Sequence, residues 1–252
     1  MEERYIRNRI YIRPEEQQLV KNYRILLGGV GIGSIIAECA LRLGFETITI
    51  IDNDIVEESN LNRQNYCMED IGKPKVHALK ERLLSINPNA KISAIKDFID
   101  KNNVEELIKE HDIAINALDF KSEIPFVFDE ACQRYNIPVL HPYNIGWGGL
   151  VIVVEPTGPQ LKDFSDNWQN FEVRLIEHIV NYFKFWSQPK PWIENIITAY
   201  KNEKTVLPPP QLAIASWIVG GLCTNILFNI VTGQKVKRYP KFYLSSIIDD
   251  RN

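Results

Sequence analysis

Gly28-Gly29-Val30-Gly31-Ile32-Gly33 stands between two apolar runs, Arg24 to Leu27 and the stretch after Ser34. A glycine-rich turn between a strand and a helix lets a phosphate approach the backbone. It also presents free N–H groups and the positive end of the helix dipole to an anion. Gly28, Gly31 and Gly33 are the candidate contacts. Roughly twenty residues further on, where an acid can accept hydrogen bonds from ribose hydroxyls, the run Thr47–Ile51 ends in Asp52 and, two residues later, Asp54. Glycines and acid alone suggest a dinucleotide such as NAD. The segment Ser59-Asn60-Leu61-Asn62-Arg63-Gln64, followed by Lys73 and Lys75, shifts the balance. Arginine offers forked contacts and lysine a point charge, and cations here suit a triphosphate better than a pyrophosphate. Asp119 follows the apolar run Asp112–Ala117. A carboxylate at the C-terminal end of a parallel strand lies on the ligand-binding edge of an open sheet. There it can hold Mg²⁺ while phosphates supply further ligands. Taken singly, each feature has a plainer reading: a tight turn, a helix cap or a solvated cation.

These residues need a frame, and the pattern supplies one. Arg24–Leu27, the glycine loop and a helix over Ser34–Leu43, closed by Gly44, make a β–α unit that Thr47–Ile51 completes. The continuous β-branched run predicts a parallel strand buried on both faces. A helix over Lys75–Ser85 stopped by Asn87-Pro88-Asn89, a strand near Lys91–Ile95 and a helix near Val104–Glu110 follow. Then come strand Asp112–Ala117, a helix from about Pro125 to Tyr135 and strand Val139–Tyr143. This alternation predicts an α/β fold: a Rossmann-like, open, mostly parallel sheet with helices on both faces. After Gly146 the character changes. Leu150–Val154 reads as a strand. Residues 156–210 form an aromatic-rich insertion with Trp168, His178, Tyr182, Phe183, Phe185, Trp186 and Trp192, expected to be helical. The apolar helix Leu212–Val231, ended by Gly233, and a strand Phe242–Ile248 return the chain to the core. The expected organisation is one domain over residues 1–252. Within it, 1–23 form a basic, helical N-terminal arm, 24–155 the nucleotide-binding core, and 211–252 the C-terminal helix and strand.

The formal net charge of −3 argues against broad nucleic-acid binding. With 45% hydrophobic and 24% charged residues, the chain has the composition of a soluble globular protein. Cys39, Cys67, Cys132 and Cys223 are scattered without CxxC spacing, so no zinc site is expected. Their contexts suggest buried thiols in a reducing, cytoplasmic setting. The basic N-terminus lacks a following apolar run and is not read as a secretory signal. Leu212–Val231 is interrupted by Ser216, Thr224, Asn225 and Asn229, which favours a buried helix over a membrane span.

The chain resembles the ThiF/MoeB/HesA family, which is related to the adenylation domain of ubiquitin-activating enzymes. Gly28–Ser34, Asp52–Gln64, Gly72-Lys73-Pro74-Lys75-Val76, Ile86-Asn87-Pro88 and Asp119 carry the resemblance. Ser-Asn-Leu-x-Arg-Gln with the downstream Pro-Lys-Val is its most specific part. The resemblance implies an enzyme that uses ATP·Mg²⁺ to adenylate the C-terminal carboxylate of a ubiquitin-like protein or precursor peptide, with release of pyrophosphate. It assigns Asp52 to the ribose, Asn60, Arg63, Gln64 and Lys75 to the phosphates, and Asp119 to the metal. Arg4-Tyr5-Ile6-Arg7 matches the family's Arg-Tyr-x-Arg pattern, so Arg7 is expected to reach the ATP of the other subunit of a homodimer. The chain departs from the family pattern at Val30, at Ala-Leu-Asp-Phe around Asp119, and in lacking CxxC pairs. Cys223 lies in the apolar helix, which leaves the adenylate itself as the expected endpoint. Two alternatives stay open: an ATP-dependent dehydratase acting on a modified tRNA base, suggested by the stretch from Lys96-Asp97-Phe98 to Asn103-Val104, and an NAD-binding Rossmann module.

Overall fold

The apolar runs become neighbouring strands. In the computed structural model, which describes residues 2–205 and 207–248, seven strands form one sheet in the order β3-β2-β1-β4-β5-β6-β7. β1 (Arg24–Gly28) pairs in parallel with β2 (Thr47–Ile51) on one side and β4 (Ile113–Asn116) on the other. β3 (Lys91–Ile95) extends the sheet beyond β2, and β5 (Val139–Asn144) beyond β4, both in parallel. The register sets Gly28 opposite Ile51 and Asn116, so the loops leaving β1, β2 and β4 emerge together at one edge. Strand order reverses at β1, and the crevice there is the usual ligand position in such sheets. β6 (Gly148–Val154) and β7 (Phe242–Ser246) complete the sheet in antiparallel pairing.

Helices cover both faces. α1 (Pro14–Asn22), α2 (Gly33–Leu43), α3 (Lys75–Ile86) and α9 (Ala213–Val231) lie on one, around Ile25, Leu27, Ile48, Ile50, Leu140 and Val151. α4 (Val104–Ile108), α5 (Ile124–Arg134), α6 (Leu161–Phe164) and α7 (Phe171–Phe185) lie on the other. The alternation is visible within β6: Val151 and Val153 face the first layer, Leu150, Ile152 and Val154 the second. α8 (Pro191–Lys201) closes over the β5–β6 turn, where Trp192 approaches Gly148 and Ile196 approaches Gly146. The expected helical insertion is thus α6 to α8.

The structure changes two details. β6 begins at Gly148 rather than Leu150, because Gly148 and Gly149 already pair with Ser246 and Ser245 of β7; α9 crosses so near that a Cβ on Gly149 would sit 2.6 Å from Val219 Cγ2. The arm is not one helix: a 3₁₀ turn, Glu3–Asn8, breaks at Ile10, whose φ is 79°, before α1 starts at Pro14. As expected of the apolar helix, α9 packs on the core although it is long and apolar enough to cross a membrane: Ala215, Val219, Cys223, Ile226 and Leu227 are buried against the sheet and α2. Met1 of the arm, Val206 of the insertion and residues 249–252 of the C-terminal element lie outside the described residues.

α7 is held to the core by aromatic packing. Phe171, fully buried, stacks on Phe120 with centroids 4.5 Å apart and meets Phe126 and Phe164 edge-on at 5.1 and 5.9 Å. This fixes the start of α7 beside the loop leaving β4. Phe171→Ala is expected to lower unfolding stability by about 3–5 kcal/mol, measured by urea denaturation. A loss below about 1 kcal/mol would show that α7 is held by other contacts.

Candidate active site

The glycine loop takes its shape from groups at the ends of β2 and β4. Gly29 has φ +88°, and a Cβ there would lie 2.4 Å from the Ala117 carbonyl oxygen, so only glycine fits. Its N–H donates to the Ile51 carbonyl at 2.9 Å. Val30, the departure from an all-glycine pattern, turns its side chain wholly into the core. Its N–H donates to Asp52 Oδ2 at 2.8 Å and its carbonyl accepts from the Tyr66 hydroxyl at 2.9 Å. A valine is therefore accommodated because its side chain joins the core and both its backbone groups find partners within the protein. α2 starts at Gly33 without a side-chain cap, which leaves its N-terminal end open toward the loop.

Asp52 is used twice, since Oδ1 also accepts from Asp54 N at 2.8 Å. Each carboxylate oxygen keeps a second lone pair for a hydroxyl. Asp54 and Lys75, expected as separate contacts, face each other. Lys75 Nζ lies 2.9 Å from Asp54 Oδ2, and Lys75 N donates to the Asp54 carbonyl at 2.9 Å. The Lys75 side chain is 8% exposed, so the pair sets a nearly buried ammonium under the site. Asn60 is buried and caps its own short turn, accepting from Glu57 N at 3.1 Å.

Arg63 and Gln64 carry the unspent polarity. Arg63 donates to the Ser59 carbonyl at 2.8 Å, to Asn62 Oδ1 at 2.8 Å and to Gln211 Oε1 at 2.5 Å, all neutral acceptors. Burial draws its pKa down, while the charge of Asp119 acts the other way. A half-buried guanidinium without a bonded carboxylate suits a phosphate. Gln64 Nε2 would lie 3.2 Å from a Cβ on Gly31, and its buried Oε1 has no partner among the described residues. That unmatched acceptor beside the loop is a polar group awaiting a donor.

Asp119 sits in the loop between β4 and α5, 71% exposed, with Lys121 Nζ 2.8 Å from its Oδ2. The Lys121 pKa is raised first by Asp119 and, more weakly, by the charges of Asp54 and Asp52. Among the described residues no group of three or more His, Cys, Asp or Glu is arranged to hold a metal. One accessible hard-oxygen ligand nevertheless fits Mg²⁺, which is bound through one or two carboxylates plus substrate phosphates. Glu172, in the first turn of α7, faces the same space. Burial pushes its pKa up to about 7, and the Asp119 charge adds to the shift.

Arg7 is not brought to this cluster. Tyr5 donates to Glu46 Oε1 at 2.8 Å and Asn8 Nδ2 to the Leu43 carbonyl at 3.0 Å, which docks the arm at the opposite edge of the sheet, where β2 begins. Arg7 is exposed there. Four contributors escaped sequence reasoning: Tyr66, Lys121, Glu172 and Gln211. Lys121 lies two residues from Asp119 and was within reach of a local search. Gln211 and Glu172 are distant in the chain and carry no local signal.

The ThiF family profile matches residues 5–249. The chain belongs to the ThiF family. Among curated ThiF-like relatives, the SAMP-activating enzyme E1 of Haloferax volcanii is 27% identical, with 62% of this chain and 59% of that protein covered. The sulfur carrier protein ThiS adenylyltransferase of Bacillus subtilis is 33% identical over 61% of this chain and 47% of its own length. The tRNA threonylcarbamoyladenosine dehydratase of Haemophilus influenzae is 29% identical, covering 72% and 69%. The chain thus spans about half the length of the first two relatives. E. coli MccB, solved with AMPCPP and MccA, shares the fold at TM-score 0.68 and 19% identity, over 97% of this chain and 70% of that one. One of these relatives is named an adenylyltransferase and another a tRNA dehydratase. Cys132 and Cys223 of this chain are buried, and burial pushes both thiols up, away from nucleophilic use.

The Glu172 shift has a stability consequence. A carboxyl whose folded pKa rises from 4.5 to about 7 contributes stability that is fully present below the lower value. That contribution is lost as pH rises through the higher one. Glu172→Gln is therefore expected to gain on the unsubstituted protein by about 2 kcal/mol between about pH 5 and about pH 8, followed by denaturation in metal-free buffer. A pH-independent difference would place Glu172 in water.

Proposed function

We propose that this protein is an ATP-dependent adenylyltransferase that activates the C-terminal carboxylate of a ubiquitin-like protein or small peptide as an acyl-adenylate. The observation that carries this reading is Arg63. A half-buried guanidinium, held only by neutral acceptors, stands with the glycine loop, Asp52, Lys75 and Asp119 at one sheet edge. The relatives' names, an E1 and a ThiS adenylyltransferase, support a polypeptide acceptor, and a fold-mate solved with AMPCPP supports a nucleotide.

In this reading Asp52 accepts from the ribose, the loop amides and Arg63 hold the phosphates, and Lys75 adds positive charge from below. The acceptor carboxylate attacks the α-phosphorus and pyrophosphate leaves. The protein's work is positioning and charge stabilisation. Mg²⁺, when bound, would neutralise phosphate charge, with Asp119 as its protein ligand. Arg7, exposed at the far edge, would serve the site of a second copy in a homodimer. α7 and α8 would form the acceptor side. A cytoplasmic setting matches the free cysteines and the need for ATP.

Arg63→Ala is expected to lower acceptor-dependent ATP–pyrophosphate exchange by about 100-fold without changing the fold by circular dichroism. Undiminished exchange in that variant would remove Arg63 from the phosphate site. The similarity to a tRNA dehydratase supports a second reading, an RNA acceptor, against which the net charge of −3 weighs. Steeply salt-sensitive tRNA binding would select it. Thermal stabilisation by NAD and not by ATP with Mg²⁺ would overturn both readings.

A further inference from the structure

A polar seam lies buried between α5 and the sheet. Asn116, the last residue of β4, Asp129 on α5 and His141 on β5 are 4%, 5% and 1% exposed. Asn116 Nδ2 donates to Asp129 Oδ1 at 2.8 Å and to the Pro125 carbonyl at 2.9 Å. Its Oδ1 accepts from Leu118 N at 3.4 Å. Asp129 Oδ2 lies 3.1 Å from His141 Nε2 without hydrogen-bond geometry, and neither atom has a hydrogen-bond partner among the described residues. The seam divides two apolar clusters, one around Leu26, Ala114 and Val139, the other around Phe126, Tyr143 and Ile152. Apolar residues of similar volume would join those clusters at no loss of stability, because buried polar chains gain little over well-packed hydrophobes. Stability alone does not call for the seam.

Its geometry brackets one loop. Residues 117–123 leave β4 and enter α5, and they carry Asp119. Asn116 holds both ends, Leu118 N at the start and Pro125 O at the first turn of α5. The amide fits in one orientation only. Reversed, its oxygen would meet the oxygens of Asp129 and Pro125, and its nitrogen the Leu118 N–H. Asp129 therefore sets the amide. We propose that Asp129 is a positioning residue that acts through Asn116 to hold the loop presenting Asp119. The functional consequence rests on the adenylyltransferase reading; the clamp on the loop does not.

Two readouts on Asp129→Ala and Asp129→Asn test this. Asparagine keeps an acceptor for Asn116, and alanine does not. Without ligands, Asp129→Ala should speed amide hydrogen exchange across 117–123 by about tenfold, with β1 and β2 unchanged. The Mg²⁺-dependent gain in ATP affinity should fall by about tenfold, while affinity in EDTA stays the same. Asp129→Asn should restore both, and Asp129→Ala should change the Mg²⁺ term no further in an Asp119→Ala background. Asn116→Ala removes the same clamp from the loop side and should produce the same two changes, which keeps the test available should Asp129→Ala not fold. Uniformly faster exchange, equal loss of ATP affinity in EDTA, or additivity with Asp119→Ala would overturn the proposal. Absence of Mg²⁺-dependent ATP binding in the unsubstituted protein would instead sink the adenylyltransferase reading, and loop exchange would still judge the clamp.

Discussion

The carboxylate of Asp52 accepts from Val30 N and from Asp54 N, and so ties the end of β2 to the loop that leaves β1. Much of the site depends on that pair of hydrogen bonds. It turns the loop so that Val30 buries its side chain while its backbone bonds to Asp52 and Tyr66. It also fixes the main chain at Asp54, whose carboxylate then receives Lys75. The tie is possible because β1 and β2 run parallel in register, with Gly28 opposite Ile51.

Charge is arranged around this tie in a graded way. Lys75 is nearly buried and paired with Asp54. Arg63 is half-buried with neutral partners, and Asp119 and Lys121 face the solvent as a pair. A buried unpaired charge is costly, and an exposed pair contributes little. Arg63 therefore stands out as the group whose electrostatic need the polypeptide leaves unmet. Its bond to Gln211 also joins the crevice to the segment that leads into α9.

The second layer brings the insertion to the same edge. Phe120 and Phe171 stack, so their sequence neighbours Asp119 and Glu172 share one space. One aromatic contact thus joins the loop after β4 to a helix fifty residues away in the chain. The arm illustrates the opposite outcome, since its anchoring by Tyr5 and Asn8 carries Arg7 to the far edge of its own sheet.

The sequence by itself determined the βαβ start, the parallel core and the ThiF family, and it named Gly28 to Lys75 with Asp119 as candidates. Those features are local: a glycine turn, an acid at a strand end and a hydrophobic period are each encoded within a few residues. It also showed Val30 as a departure without showing why a valine is tolerated. Only the tertiary structure decided that Lys75 meets Asp54, that Gln211 meets Arg63 across 148 positions, and that Asn116, Asp129 and His141 form one seam. Such contacts join residues that are close only after strands pair and helices pack, and no local periodicity encodes them. The parallel register made them, by bringing three strand ends to a common edge and covering that edge with side chains from distant helices.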